Sequence, residues 1–269
     1  MKSTDNRNDE RGLAVVTGAS SGIGYELAKI FANNGFDLIV AAEDVGILDA
    51  GNAFRSAGGR VEAVQADLST HDGVEKLGAK IREQSRPLDA IALNAGVGVG
   101  GEFAETDLAR EIEMLQLNVV RLVHLAKRVV PDMIARGQGR ILFTSSIAAT
   151  MPGPYYAVYA ATKAFVQSFA QALRFELKDK GVTVTALQPG ATDTNFFERA
   201  GMSHTPAGEG KKDDPAKVAQ DGFDALMAGR DHVVAGSMMN NMQAGMAKIV
   251  TEKQGAAMQA QSTKPNSKR

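Results

Sequence analysis

Cysteine is absent from the 269 residues, and so is tryptophan. Without cysteine there is no disulfide, no zinc–thiolate centre and no thiol nucleophile. Histidine is scarce at 4, and no two stand at a metal-ligand spacing in the chain, so no metal site is expected. Charge of either sign is nearly balanced: 30 Lys and Arg against 31 Asp and Glu, a net of -1. That balance gives no reason to expect nucleic acid or an anionic membrane as partner. No stretch approaches the roughly 18 consecutive apolar residues that a spanning helix needs. Residues 1–11 are polar and lack the apolar centre of a signal peptide. A cytoplasmic protein that works on a small-molecule substrate is the expectation.

What is present is a regular alternation. Apolar runs at Leu13–Thr17, Asp37–Ala42, Arg60–Ala66, Asp89–Leu93, Arg140–Thr144, Thr183–Leu187 and Val233–Ala235 read as strands. Between them, helical spacing runs over Tyr25–Asn33, Ile47–Ala57, Asp72–Gln84, Asp107–Ala135, Ala157–Lys180 and Pro215–Ala228. Strands alternating with helices predict an α/β fold: a Rossmann-like, doubly wound parallel sheet of about seven strands with helices on both faces. No repeat or linker divides it, so one domain is expected over residues 12–236, after a polar extension at 1–11. Two stretches break the rhythm. Glu198–Asp214 lacks periodicity and reads as a lid, a binding loop or a disordered excursion. Beyond Gly236 comes a Met-rich segment, 237–253, expected as one helix, then a polar tail, 254–269, expected to be disordered.

Two features carry chemistry. The first is Thr17-Gly18-Ala19-Ser20-Ser21-Gly22-Ile23-Gly24, set between a predicted strand and a predicted helix. Small residues there let the backbone approach a pyrophosphate, whose charge meets the free N–H groups of the helix N-terminus. The second is Tyr159 with Lys163 four residues on, on one face of a predicted helix. A nearby ammonium favours the phenolate, and so is expected to bring the phenol towards the range useful for proton transfer. Taken alone, the pair also reads as an ordinary surface Tyr and Lys. The strand ending in Ser145 and Ser146, shortly before it, argues otherwise, because ligands of open α/β sheets bind where strands end.

The glycine spacing G-x-x-x-G-x-G, opened by Thr, resembles the cofactor turn of the short-chain dehydrogenase/reductase family in its single-domain, short-spaced branch. Other motifs resemble that family in the same order, from about Gly12 to Gly236. The resemblance implies a nicotinamide cofactor held by Gly18, Ser20, Ser21, Gly22, Ile23 and Gly24. It implies Asp67 and Leu68 at the adenine, and Asn94-Ala95-Gly96 as the turn that borders the cofactor. It places Pro189, Gly190, Thr192 and Thr194 over the nicotinamide and pyrophosphate.

Ser146, thirteen residues before Tyr159, matches the family's catalytic serine, with Ser145 as its structural neighbour. Lys163 would hold the ribose, and Asn118 would hold a water that links Lys163 to solvent. The implied activity is reversible hydride transfer between a nicotinamide and a carbonyl or secondary alcohol. The alternative is a nucleotide-sensing or scaffold protein that keeps the fold without turnover. After the second strand stand Ala42, Glu43 and Asp44, where NADP-preferring relatives carry Arg, so of NAD and NADP the reading leans to NAD. Val97, Val99, Met151, Tyr155, Tyr156, Phe196, Phe197 and Met202 would give a largely apolar substrate pocket. The family implies a homodimer or homotetramer.

Overall fold

Parallel strands buried on both faces need near-continuous apolar runs, and seven such runs become strands in the computed structural model, which describes residues 11–247 and 249–266. They are β1 (Gly12–Thr17), β2 (Phe36–Ala42), β3 (Val61–Gln65), β4 (Ala90–Leu93), β5 (Gly139–Thr144), β6 (Val182–Pro189) and β7 (His232–Ala235). All pair in parallel in the order β3-β2-β1-β4-β5-β6-β7. The order reverses between β1 and β4, and a crevice opens there at the carboxyl ends of the strands.

Helices α1 (Gly22–Asn33), α2 (Gly46–Phe54), α3 (His71–Arg82), α4 (Leu108–Leu115), α5 (Leu122–Arg136) and α6 (Ala157–Leu177) follow in turn. Two single-turn helices, α7 (Phe196–Arg199) and α8 (Pro206–Glu209), precede α9 (Pro215–Met227). Helices α10 (Met238–Met246) and α11 (Glu252–Thr263) come last. One apolar core packs α3, α5 and α6 onto one face of the sheet; a second packs α1, α2 and α9 onto the other. A third, smaller cluster joins Tyr159, Met114, Phe197 and Met202 beside the crevice.

Four expectations are corrected or narrowed. The helix read over Asp107–Ala135 is broken by a π turn at Gln116–Arg121, with Asn118 its one buried residue. The excursion 198–214 is ordered, which removes only the disordered alternative. Its far end is tied back to the strand exit by Asp213 N–H to the Ala191 carbonyl at 2.8 Å and by Asp193 N–H to the Asp213 carbonyl at 2.9 Å. The tail from Gln254 is helical to Thr263, started by a capping box in which Thr251 and Gln254 satisfy each other's backbone N–H. The Met-rich helix is shorter than 237–253. Of the polar extension, residues 1–10 lie outside the described residues, as do 267–269 of the tail.

Candidate active site

The glycine turn is built as its residues dictate. Gly18 and Gly22 stand at φ +67° and +59°, where an L side chain is strained. A Cβ on Gly24 would run into the Gly18 carbonyl, and one on Gly22 would lie 2.9 Å from Thr194. Helix α1 then begins at Gly22 with no side-chain cap from Ser21 and no acid in its first turn. Its leading N–H groups are left for an anion.

One cavity of about 750 Å³ runs from this turn to the segment 195–211. The Asp67 and Leu68 pair, the 94–96 turn and the 189–194 segment all border it. Asn94 knits the strand ends beneath: its N–H meets Thr17 Oγ1 at 2.9 Å, its Nδ2 the Thr17 carbonyl at 3.1 Å, and Thr144 donates to its Oδ1 at 3.0 Å. Asp67 Oδ1 accepts from the Ser69 N–H, which turns the chain into α3. At the end of β2, Ser20 Oγ donates to Asp44 Oδ2 at 2.7 Å. Glu43 and Asp44 both face the cavity.

Ser146, Tyr159 and Lys163 meet on one wall. Ser146 Oγ accepts from Ala148 N–H at 3.0 Å and leans on the Pro189 carbonyl at 3.4 Å. Ser145 instead ties β5 to α6, its hydroxyl on the Lys163 carbonyl at 2.9 Å. Lys163 Nζ donates to the Thr144 carbonyl at 2.9 Å and lies 5.8 Å from the centre of the Tyr159 ring. Burial draws its pKa down to about 8. The expected lowering of the phenol by the ammonium is not what the site shows. Burial pushes Tyr159 up to about 12, with the Ser146 hydroxyl acting in the opposite sense. The phenol therefore holds its proton firmly, the form that donates to a carbonyl.

Asn118 stands behind this wall. Its Oδ1 accepts from Val97 N–H at 3.0 Å, and its Nδ2 donates to the Val97 carbonyl at 2.9 Å and to Thr162 Oγ1 at 3.1 Å. A Cβ on Gly96 would stand 3.1 Å from Asn118 Oδ1 and 3.3 Å from Lys163 Nζ, so the glycine keeps open the gap between them.

A match to the model of the family described as short chain dehydrogenase extends over residues 12–203. The chain belongs to the short-chain dehydrogenase/reductase family. Within it, the chain is 34% identical over 189 residues to an uncharacterized oxidoreductase, YmfI, of Bacillus subtilis, covering 69% of this chain and 77% of that one. Its fold is similar to a short-chain dehydrogenase from Sphingobium yanoikuyae in complex with NADPH. That pair shares a TM-score of 0.78 and 28% identity over 91% of this chain and 98% of the other. It is also similar to a bulky-bulky ketone specific alcohol dehydrogenase from Comamonas testosteroni. There the TM-score is 0.75 and the identity 25%, over 90% and 95% of the two chains. As a family member the chain is an oxidoreductase with a nicotinamide dinucleotide cofactor; the glycine cradle and the bare start of α1 fit that group.

Several site features were not visible in the sequence. Tyr155 takes φ +63°, an uncommon conformation for a non-glycine. The next residue, Tyr156, stands with its ring centre 5.8 Å from that of Tyr159. Phe196, not Phe197, lies against the catalytic candidate: its ring centre is 5.1 Å from that of Tyr159, while Phe197 is buried behind it. Asn240 of α10 fills the space beside Gly190, and Gln259 of α11 borders the same cavity. Away from the site, the fold does bring His71, Glu75 and His124 together, with ligand atoms within 4.8 Å of one another. There Glu75 Oε1 is already engaged by Arg128 and His124, each at 2.7 Å.

Proposed function

We propose that the protein interconverts a ketone and a secondary alcohol on a largely apolar small molecule. The observation that carries the reading is Ser146, Tyr159 and Lys163 on one wall of a cavity whose other end is the glycine turn. In this reading Ser146 Oγ donates to the substrate oxygen and stabilises the charge that develops there. Tyr159 gives a proton to that oxygen in reduction and takes it back in oxidation. Lys163 is the positive charge beside the phenol and a donor towards the ribose. Asn118 is a positioning residue: it fixes Val97 and, with Lys163, borders the gap at Gly96 through which a water could relay the proton. When bound, the nicotinamide supplies or accepts the hydride.

Gly18, Ser20, Ser21, Gly22, Ile23 and Gly24 would hold the pyrophosphate end, Asp67 and Leu68 the adenine, and Pro189, Gly190, Thr192 and Thr194 the nicotinamide side. NAD is the proposed preference. Asp44, fixed by Ser20, and Glu43 suit a ribose 2′-hydroxyl as acceptors, whereas a 2′-phosphate would meet two like charges. We also propose a homodimer or homotetramer, supported by the exposed Leu108, Ile112, Val120 and Phe165 on α4, the π turn and α6.

The test is turnover of bulky apolar ketones and secondary alcohols with each cofactor, alongside fluorescence titration of NADH and NADPH. Ketone reduction with NADH is expected. No turnover with any ketone or alcohol refutes the activity, and tighter binding of NADPH refutes the cofactor preference.

A further inference from the structure

Helix α11 buries three residues, Gly255, Gln259 and Thr263, spaced four apart on one face. Two of them hold the helix in place. Gly255 lies against Met151: a Cβ there would be 3.1 Å from the Met151 Sδ. Thr263 Oγ1 donates to the Pro154 carbonyl at 2.8 Å. Beyond the helix, Asn266 N–H reaches the His204 carbonyl at 2.9 Å, and its Nδ2 reaches Glu209 at 2.9 Å. α11 thus rests on the 151–154 loop and on α8, and it lines the cavity with Gln259, Ser262 and Thr263.

Gln259 is different. It is 3% exposed, it borders the cavity, and its Nε2 is buried with no hydrogen-bond partner among the described residues. Buried amides in folded proteins are nearly always paired, and an orphaned one is costly. A leucine or methionine on this face would pack without that cost. Among the described residues no hydrogen bond pins the carboxamide, and the last torsion of a glutamine is broad, so its N–H pair can turn into the cavity.

We propose that Gln259 is a substrate-binding residue that donates to a hydrogen-bond acceptor at the end of the substrate remote from the reacting carbon. The substrate class is then an apolar ketone or alcohol that carries a second oxygen function, such as a carbonyl or ester, at its far end. The inference rests on the ketone–alcohol reading above and adds to it the polar end that the apolar lining does not predict.

The probe is a matched pair of aryl ketones, one with a methyl ester on the ring position opposite the ketone and one with an isopropyl group there. With the full-length protein, kcat/KM is expected to favour the ester about tenfold, and Gln259→Leu to bring the ratio near one through KM. The same pair is titrated by calorimetry in the presence of reduced cofactor, so that a contact is read even where no turnover occurs. A silent enzyme that still binds the ester more tightly indicts the reaction and supports the contact. Equal affinities for the two ketones in the parent, or a preference that survives the substitution, overturns the proposal. Gln259→Leu should melt at or above the parent temperature, because it removes an unpaired group. If that variant fails to fold, Gln259→Met takes its place in the same measurements. Loss of stability in both would mean that the amide serves the fold and not a ligand.

Discussion

Lys163 ties the charge of the site to the stability of the fold. Its pKa is about 8 in place against an ordinary 10.5, so between those values the unfolded chain binds a proton that the fold has released. Stability therefore rises with pH across that window, and the penalty of the buried charge is fully present below it. Tyr159 acts in the opposite sense: about 12 in place against 10.0, it keeps its proton while the unfolded chain loses it, and stability falls above about pH 10. Urea denaturation at intervals from neutral to alkaline pH checks this. Lys163→Met is expected to be the more stable protein near neutrality and to lack the rise above pH 8; a parent-like profile would refute the buried charge. Tyr159→Phe removes a proton and little packing. It should lower kcat by about a hundred- to ten-thousandfold while leaving NADH affinity within a factor of about two, read by stopped flow and fluorescence titration. Near-normal turnover in that variant would remove Tyr159 from the mechanism. The Tyr159–Lys163 pair was legible because one helical spacing carries it. The direction of the phenol's shift was not, since it depends on burial that a local pattern does not contain.

At the scale of elements, what could be read was whatever repeats. Strands with both faces covered stand out as apolar runs, and all seven were found within a residue or two. Helices α7 and α8 are four residues each, too short to show any period, so the segment holding them looked like a loop. Helix α11 was missed for another reason: its inner face is Gly255, Gln259 and Thr263, not an apolar stripe. The segment that begins at Phe196 nonetheless makes a testable statement. Phe196 crosses Gly98, where a Cβ would lie 2.6 Å from its ring, and it packs on Tyr159. Phe196→Ala should raise KM for bulky apolar ketones about tenfold or more, and that for small polar ones by much less. Similar effects on both would show that Phe196 does not sense the substrate. Phe197→Ala, which empties a buried cluster, should instead lower the melting temperature.

For the whole molecule, the sheet order decides where everything meets. Because β1 and β4 are neighbours while their helices leave to opposite faces, residues as distant in sequence as Gly18 and Thr194 share one crevice. The motifs could be recognised one by one, but their convergence is a property of the topology. Assembly belongs to this scale too. Light scattering on the purified protein is expected to give twice or four times the mass of the 28.4 kDa chain; a single-chain mass would refute the proposed oligomer.

The π turn at Gln116–Arg121 has a consequence of its own. One extra residue in a helical turn offsets the rotational phase of everything beyond it by about 100°. Helix α4 on one side and α5 on the other can then each direct an apolar face inward, Met114 before the turn and Leu122, Leu125 and Val129 after it. Asn118, at the slip itself, is free of both patterns and bonds to Val97. Removing one residue here would restore an unbroken α-helix, yet it would leave the two halves out of step with the walls they line. The local irregularity works as a vernier between a core that must be apolar and a site that needs one amide.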